Sequence, residues 1–297
     1  MKFSTSLTIL LLAVSSSVFA TDSSLNSAKY DAQYTLANSN GSANYSQTTN
    51  AQNSNTSIEI NGVTVDVGIT AWSNSAGHAD DKLAQGNIQG WWNCTLGNNG
   101  CTLANRHVGY GIKNSDYSWG GDSHAVDNSG DGGGRDFDMF LLSFSESVTL
   151  ENAAFTWVVG DNDSKEVTVA GLNSIAAFES GANSTWNTVT SAIVENTLGH
   201  YGVGSKGSNG LYESTFTKLT GSAKYWLIGA YNTIFDDNAK SNFNSVQLKL
   251  SSIGVSIIDA KNTFKKYKWP TIDVTRKSVE ETAASIIKIY EIYKQNG

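Results

Sequence analysis

The stretch DNSGDGGGRDFD, residues 127–138, has the composition of a metal-binding loop. It places Asp127, Ser129, Asp131 and Asp138 at loop positions 1, 3, 5 and 12, close to the spacing of a calcium-binding EF-hand. The residues that follow, FDMFLLSF, have the pattern of a strand, whereas an EF-hand loop is followed by a helix. The flanking sequence therefore argues against an EF-hand and leaves an oxygen-rich turn between strands.

Two interpretations of this turn stay open. Crowded carboxylates repel one another unless a cation lies between them, which predicts a Ca²⁺ ion held by Asp127, Asp131 and Asp138. Alternatively, the stretch is a solvated Gly/Asp turn in which Arg135 neutralises the neighbouring acids. The sequence indicates no other cofactor.

No local motif indicates catalysis. The sequence holds neither a G-x-S-x-G elbow nor an H-E-x-x-H pair, and its four histidines are scattered along the chain. GVGSKG at 202–207 matches G-x-G-x-x-G, but it lies in a Gly/Ser loop among predicted strands rather than before a helix. No spacing of carboxylates singles out a glycosidase pair. We therefore predict that the protein is not an enzyme.

Tryptophans offer a second kind of site. Trp91, Trp92 and Trp119 are candidates for stacking on sugar rings, although a role in the core is the simpler interpretation of most of the eight tryptophans. Adjacent strand residues point to opposite faces, so Trp91 and Trp92 cannot both point inward. This set favours, as an alternative function, a calcium-assisted carbohydrate-binding module.

Cys94 and Cys101 are the only cysteines and flank the turn-forming residues TLGNNG. An even cysteine count in an exported chain favours a disulfide, and Gly and Asn allow the chain to turn back between them. A zinc site is the rival interpretation, but two thiolates supply only half of the usual four ligands.

The ends of the chain differ from its middle. Residues 1–20 combine Lys2, a short apolar run and Ala20, which predicts a cleaved signal peptide and hence a secreted or cell-surface protein. No later segment is apolar enough to span a membrane. Residues 21–56 are rich in Asn and Ser, which predicts a disordered lead.

The last part of the chain, 259–297, is predicted to be a basic tail with an amphipathic helix. Residues 261–297 carry eight Lys and Arg against four Asp and Glu, although the whole chain has a net charge of −7. Ser278 and Glu281 form a capping-box pattern before apolar residues at helical spacing. The negative balance of the whole chain argues against nucleic acid as a partner.

Between the two ends, residues 57–258 alternate short apolar segments with Gly/Asn/Asp clusters. VTVDVGIT alternates strictly, and AAFTWVV, EVTVAGL, STWNTVTSAIV and AKYWLIGAY are further strand candidates. The pattern predicts an all-β domain, specifically an antiparallel β-sandwich of jelly-roll type.

Several of these segments resemble a known family. HAVDN at 124–128, RDFDMFLLSF at 135–144, FTWVVGDND at 155–163 and AKYWLIGAY at 223–231 resemble the exosortase-dependent (PEP-CTERM-type) surface proteins of Gram-negative bacteria. The resemblance implies an exported all-β protein without enzymatic activity. The C-terminal sorting signal of that family is missing, since Pro270 is the only proline and no apolar span follows it.

The sequence thus leads to one main functional hypothesis, a non-enzymatic component of the extracellular matrix or surface layer. The expected partners are extracellular polysaccharides or surface proteins. The carbohydrate-binding module is the first alternative, and an extracellular hydrolase with its site on loops is the third choice.

Overall fold

A computed structural model describes residues 30–74, 82–114, 124–128, 136–160, 165–179, 183–238 and 246–257. The chain divides into two units, Met1–Ser256 and Ile257–Gly297. The predicted helix around 278–293 lies outside the described residues. Among the described residues, no helix is both long enough and apolar enough to cross a membrane.

The described residues of the first unit form twelve strands. They are β1 (Ala32–Thr35), β2 (Ser57–Ile60), β3 (Val63–Asn74), β4 (Leu83–Trp92), β5 (Val108–Lys113), β6 (Val126–Asp127), β7 (Asp138–Val159), β8 (Glu166–Leu172), β9 (Gly199–Gly202), β10 (Tyr212–Thr215), β11 (Ala223–Ala230) and β12 (Gln247–Ser256). All the pairings between these strands are antiparallel, so the all-β prediction is confirmed.

Part of the sheet closes on itself. Strands β12, β5, β4, β3 and β7 pair in that order, and β7 pairs with β12 to complete the ring. The remaining strands extend or cover this ring, with β11, β8 and β9 continuing from β7. Closure removes exposed sheet edges, which leave unpaired backbone groups.

Strand β7 organises the fold, because it pairs with β3, β10, β11 and β12 along its 22 residues. The sequence predicts two strands here, DMFLLSFSESVTL and AAFTWVV, but the structure joins them into one. The polar residues Glu151 and Asn152 separate the two segments in the sequence and suggest a break there, whereas backbone pairing to β10 and β12 keeps the chain extended. Tertiary pairing thus overrides the local signal.

The hairpin between β2 and β3 follows directly from its sequence. Asn61 and Gly62 have φ angles of 52° and 79°, and the two strands pair from Ile60 with Val63 outward. A two-residue turn with positive φ at both positions matches the twist of the strands that it joins, and Asn-Gly is the preferred pair.

The expectation of a disordered lead over 21–56 does not hold for residues 30–56. Strand β1 pairs with β12, and Tyr34 and Leu36 are 2% and 0% exposed. Asn and Ser side chains in this segment bond to its own backbone, as in Ser42 N–H donating to Asn38 Oδ1 at 2.9 Å. Composition missed this order because the few apolar residues are sufficient once β12 supplies a pairing edge.

One predicted strand is partly helical. STWNTVTSAIV contains α1 (Trp186–Thr190), which begins with a reciprocal capping box between Thr185 and Thr188. β-Branched residues favour strands, but a side-chain cap and burial of Trp186 and Val189 outweigh that preference here. Trp186 packs with Phe178 and Phe235 in an aromatic part of the core.

Candidate functional site

Two buried aspartates lie at the start of β7. Asp136 and Asp138 are 0% and 1% exposed. The side-chain amide of Asn114 donates to Asp138 Oδ1 at 2.8 Å and to Asp136 Oδ2 at 3.3 Å, and Ser73 Oγ donates to Asp136 Oδ1 at 2.8 Å. Asn114 Nδ2 also donates to Ser73 Oγ at 3.1 Å. We call these four residues the aspartate cluster.

Neighbouring elements hold the aspartate cluster in place. Ser73 is near the end of β3, which pairs with β7 so that Ser73 faces Asp138 in the register. The adjacent Asn74 side chain accepts from Phe137 N at 2.9 Å and from the Trp186 indole N–H at 2.8 Å. Phe137, between the two aspartates, is thus anchored to β3 and to the helix α1.

The cluster is suited to electrostatic or structural work rather than to contact with a large substrate, because both carboxylates are buried. Two carboxylates repel each other when both are charged, and both aspartates have partners in the fold. Among the described residues, no group of three or more His, Cys, Asp or Glu is placed to hold a metal ion. Asp131, the third predicted ligand, lies outside the described residues.

The other predicted ligand, Asp127, is half-buried on β6, where it faces Gln247 of β12. The two described ligands therefore belong to different strands, β6 and β7. The calcium site stays a prediction. The sequence signal picked out Asp138 but not Asn114 or Ser73, which are distant in the chain and reach the cluster only through folding.

A second feature is a cavity of about 550 Å³ beside β3. Its lining residues are Gln47, Thr48, Thr49, Thr70, Trp72, Leu83, Gln85, Ala177, Phe178 and Glu179. Hydroxyl and amide groups predominate, and Glu179 is its one ionisable lining residue. The Trp72 indole N–H already donates to Thr70 Oγ1 at 2.9 Å. Such a lining can hydrogen-bond a neutral molecule, but it offers no nucleophile paired with a base.

Trp91 and Trp92, two of the three tryptophans that the sequence singles out, have protein partners. The ring of Trp91 contacts His124 edge-on at 4.1 Å between centroids, and Lys249 Nζ lies 5.2 Å from its centre. Trp92 is 38% exposed, with the Arg106 guanidinium 3.7 Å from its ring centre. Trp119 lies outside the described residues. The two adjacent side chains differ in exposure, as strand alternation requires.

Two other tryptophans, Trp157 and Trp226, lie in the apolar segments AAFTWVV and AKYWLIGAY, where a position in the core is the simpler interpretation. Trp226 is there, with 0% exposure and an indole N–H that donates to Val148 O at 3.0 Å. Trp157 is only half-buried, and Lys249 Nζ lies 4.9 Å from its ring centre. The Trp157 ring thus makes a cation–π contact with Lys249 instead of being fully enclosed in the core.

Cys94 and Cys101 form a disulfide with a Cα–Cα distance of 5.9 Å. Gly97, Asn99 and Gly100 between them all have positive φ angles, which brings the chain back on itself. The disulfide closes the loop that joins β4 to β5.

Comparison with known proteins gives a match at the other end of the chain. The family model described as Kinase/pyrophosphorylase matches residues 238–287. A pyruvate, phosphate dikinase regulatory protein of Pelagibacter ubique is 66% identical over 58 residues, which are 20% of this chain and 21% of that protein. Its namesakes from Maricaulis maris and Caulobacter vibrioides are 64% identical over 33 residues and 42% identical over 50 residues.

These matches are short. They cover 11% and 17% of this chain, and 12% and 16% of the relative, for the Maricaulis and Caulobacter proteins. The chain therefore spans about a fifth or less of the length of these curated relatives. No solved structure matches the chain.

The matches correct the functional interpretation of the sequence. The family found is Kinase/pyrophosphorylase, so the assignment to exosortase-dependent surface proteins is wrong. The same finding overturns a non-enzymatic matrix or surface-layer component, together with its carbohydrate-binding and hydrolase alternatives. The expectation that the partners are polysaccharides or surface proteins is also wrong, since the relatives are named as regulatory proteins of a dikinase. The sequence that carries the match, at 238–287, was interpreted only as strand and basic helix because it contains no motif with a known mechanism.

Proposed function

We propose that this chain is a regulatory enzyme that acts on a pyruvate, phosphate dikinase, and that its segment from residue 238 onward supplies this role. One observation carries the proposal, the 66% identity over 58 residues to a regulatory protein of that dikinase. Identity at that level over a continuous segment exceeds what shared composition produces. The matched segment is only about a fifth of the relative's length. The experiment therefore measures the activity of the whole chain rather than of this segment.

The charge of the matched segment supports an interaction with phosphate. Residues 265–277, KKYKWPTIDVTRK, contain five Lys and Arg and one Asp. Phosphoryl groups are bound by Lys and Arg, and Arg can make two parallel hydrogen bonds to one phosphate. Phosphoryl transfer depends mainly on such positioning and charge stabilisation. We assign to Arg276 and Lys277 the binding of a phosphoryl group on the dikinase or on a nucleotide.

The test uses the purified full chain, a pyruvate, phosphate dikinase and a magnesium nucleotide. We expect the phosphorylation state of the dikinase, read by intact mass spectrometry, and its activity to change together when the chain is added. Arg276→Ala with Lys277→Ala should abolish the change. Lys82→Ala with Lys113→Ala, which removes the same charge from the ends of β4 and β5, should not. No change with the wild-type chain would refute the proposal.

The finer architecture is a proposal of its own. We propose that the strands of the first unit pack as a jelly-roll-like sandwich and that Ser278–Tyr293 form the amphipathic helix that the spacing of Val279, Ala283 and Ile286 predicts. Replacing Ala283 by Pro should lower the helical signal in circular dichroism. An unchanged spectrum would contradict the helix.

We also propose, from residues 1–20, that the chain is exported. Their basic start, apolar run and small residue at position 20 support export, and a disulfide between Cys94 and Cys101 is typical of oxidising compartments. Cell fractionation combined with N-terminal sequencing tests it. A retained N-terminus in the cytosolic fraction would rule out export and would place the chain with intracellular enzymes.

A further inference from the structure

The loop between β4 and β5 exposes an unusual amount of apolar surface. We call residues 92–107 the disulfide loop. Among the described residues, six large apolar side chains are exposed, and three of them lie here: Trp92 at 38%, Leu96 at 42% and Leu103 at 82%. Contiguous exposed apolar surface marks sites that bind a partner or a membrane, and these three side chains belong to one loop.

The disulfide loop is also free of acidic residues. No Asp or Glu occurs from Lys82 to Ser115, although the whole chain carries 27 Asp and Glu. Arg106 and His107 are the charged or titratable residues of the loop itself. An apolar tip with only basic charge, on a protein of net charge −7, complements an anionic surface.

The segments packed against the loop have the same character. His107 Nε2 donates to Asn209 O at 3.0 Å, and Asn209 lies in the stretch 196–212, which contains Lys206 but no Asp or Glu. Trp92 covers Gly41, where a Cβ atom would overlap its ring, and residues 32–58 contain no charged side chain. The two segments that contact the loop are therefore also free of Asp and Glu.

The loop is cross-linked and forms several hydrogen bonds within itself. Beyond the disulfide, Cys101 N donates to Asn98 O at 2.8 Å, and Asn98 N donates to Thr95 O at 3.0 Å. The Asn105 side chain accepts from Thr102 N at 2.8 Å and donates to Gly100 O at 3.1 Å. Paired backbone groups lower the cost of leaving water, and a fixed loop loses little conformational freedom on binding.

Trp92 and Arg106 sit where the apolar tip meets the strands. The Arg106 guanidinium lies 3.7 Å from the centre of the Trp92 ring. Tryptophan prefers the boundary between lipid and water, and arginine keeps its charged end in the headgroups while its stem lies along apolar surface. Leu96 and Leu103 lie between these two residues in the chain.

We infer that the disulfide loop is a membrane-docking loop that binds an anionic lipid surface, with Leu96 and Leu103 inserted and Arg106 among the headgroups. A lipid surface fits better than a protein partner because the fold leaves Leu103 almost uncovered, at 82% exposure. A protein would need a matching pocket for each protruding side chain, whereas a bilayer accepts them in any arrangement. This inference is independent of the dikinase proposal, which concerns the other end of the chain.

Co-sedimentation of the full chain with vesicles tests the inference. The vesicles are pure phosphatidylcholine or phosphatidylcholine with a third phosphatidylglycerol. The double variant Leu96→Asn/Leu103→Asn removes the apolar tip without changing charge. Val63→Asn is the control, since Val63 is 40% exposed near the tip of the β2–β3 hairpin and lies outside the loop. Thermal melts establish that both variants fold.

We expect wild type and Val63→Asn to bind phosphatidylglycerol vesicles, and the double variant to bind about tenfold or more weakly. Weaker binding to pure phosphatidylcholine should reveal the contribution of Arg106. Absence of wild-type binding, or equal binding by the double variant, would overturn the inference. A wild-type chain that self-associates through the leucines but does not sediment with vesicles would also overturn it, in favour of a second copy as the occupant.

Discussion

At the level of single residues, the main electrostatic feature is the pair of carboxylates of Asp136 and Asp138. Both are fully buried and share one amide donor, Asn114. Carboxylates so placed need a cation, a retained proton or further hydrogen bonds to be stable. The sequence-based calcium prediction names Asp138 together with Asp127 and Asp131, and it can be tested on the folded protein.

If Ca²⁺ binds here, it should stabilise the wild type by about 2.7 kcal/mol at a hundredfold excess over its dissociation constant. Asp138→Asn should abolish that gain because it removes a ligand charge, and Asp237→Asn, on an exposed turn, should leave it intact. Thermal melts in CaCl2 and in EDTA measure both effects. Equal melting temperatures of the wild type in the two solutions would show that the calcium prediction is wrong.

Three tyrosines, Tyr34, Tyr45 and Tyr110, have raised pKa values in the folded protein. Burial raises the pKa of Tyr34 and of Tyr45 well above the ordinary phenol value, and it raises the pKa of Tyr110 to about 12. The rings of Tyr45 and Tyr110 meet edge-on at 5.2 Å between centroids. The folded state therefore holds these phenol protons more tightly than the unfolded chain does.

The sign of the resulting pH dependence follows from linkage. Groups with a raised pKa in the folded state contribute stability that is complete below the ordinary pKa of about 10 and is lost as the pH rises above it. We expect part of the tyrosinate absorbance to appear only above pH 10, together with unfolding. Tyr45→Phe should reduce that late fraction and retain structure to higher pH. Titration of every tyrosine near pH 10 in the folded protein would contradict this.

At the level of elements, β5 shows why a strand can require glycine. A Cβ atom on Gly111 would overlap the carbonyl oxygen of His124, and one on Gly109 would overlap the Thr156 hydroxyl. The backbone of β5 is therefore approached by the chain before β6 and by β7. Glycine costs entropy in a strand, but here it permits a close approach that no side chain allows.

Replacing Gly111 by Ala should destabilise the protein by at least the roughly 1–3 kcal/mol typical of overpacking, because the obstacle is backbone. Gly202→Ala is the matched control, since nothing lies within 4 Å of a Cβ atom there. It should be neutral or slightly stabilising. Chemical denaturation measures the free energy of unfolding of both variants. Equal values would show that the backbone at His124 can move away without loss of stability.

At the level of the whole molecule, the family match and the structural units have different boundaries. The match starts at residue 238, whereas the first unit ends at Ser256. Between them lies β12, which pairs with β1, β5, β6 and β7 and buries Leu248, Leu250, Ile253 and Val255 at 0–1% exposure. The start of the matched segment is thus part of the β-sheet core.

A chain ending at residue 257 should therefore keep a cooperative thermal transition, and one ending at residue 237 should lose it. Removing β12 deletes four buried side chains and opens the closed ring, and each large buried aliphatic residue contributes about 2–5 kcal/mol. Circular dichroism and limited proteolysis distinguish the two products. A folded chain ending at 237 would show that β12 is dispensable, and an unfolded chain ending at 257 would show that the units depend on each other.

Local chemistry made part of this fold predictable. Alternation in VTVDVGIT, the Asn-Gly turn and the spacing of Cys94 and Cys101 are properties of neighbouring residues, and the structure has the strand, the hairpin and the disulfide there. The order of residues 30–56 and the helix at Trp186–Thr190 were not predicted, because each depends on a partner far away in the chain.

By itself, the sequence determined the all-β class, the turns and the candidate acidic residues, since period-two patterning and Gly/Asn chemistry act over a few residues. Only the tertiary structure decided that β7 is one strand, that the sheet closes through β12, and that Asn114 and Ser73 join Asp136 and Asp138. These contacts link residues 22 to over 100 positions apart, and their energy comes from burial and pairing that no local window contains.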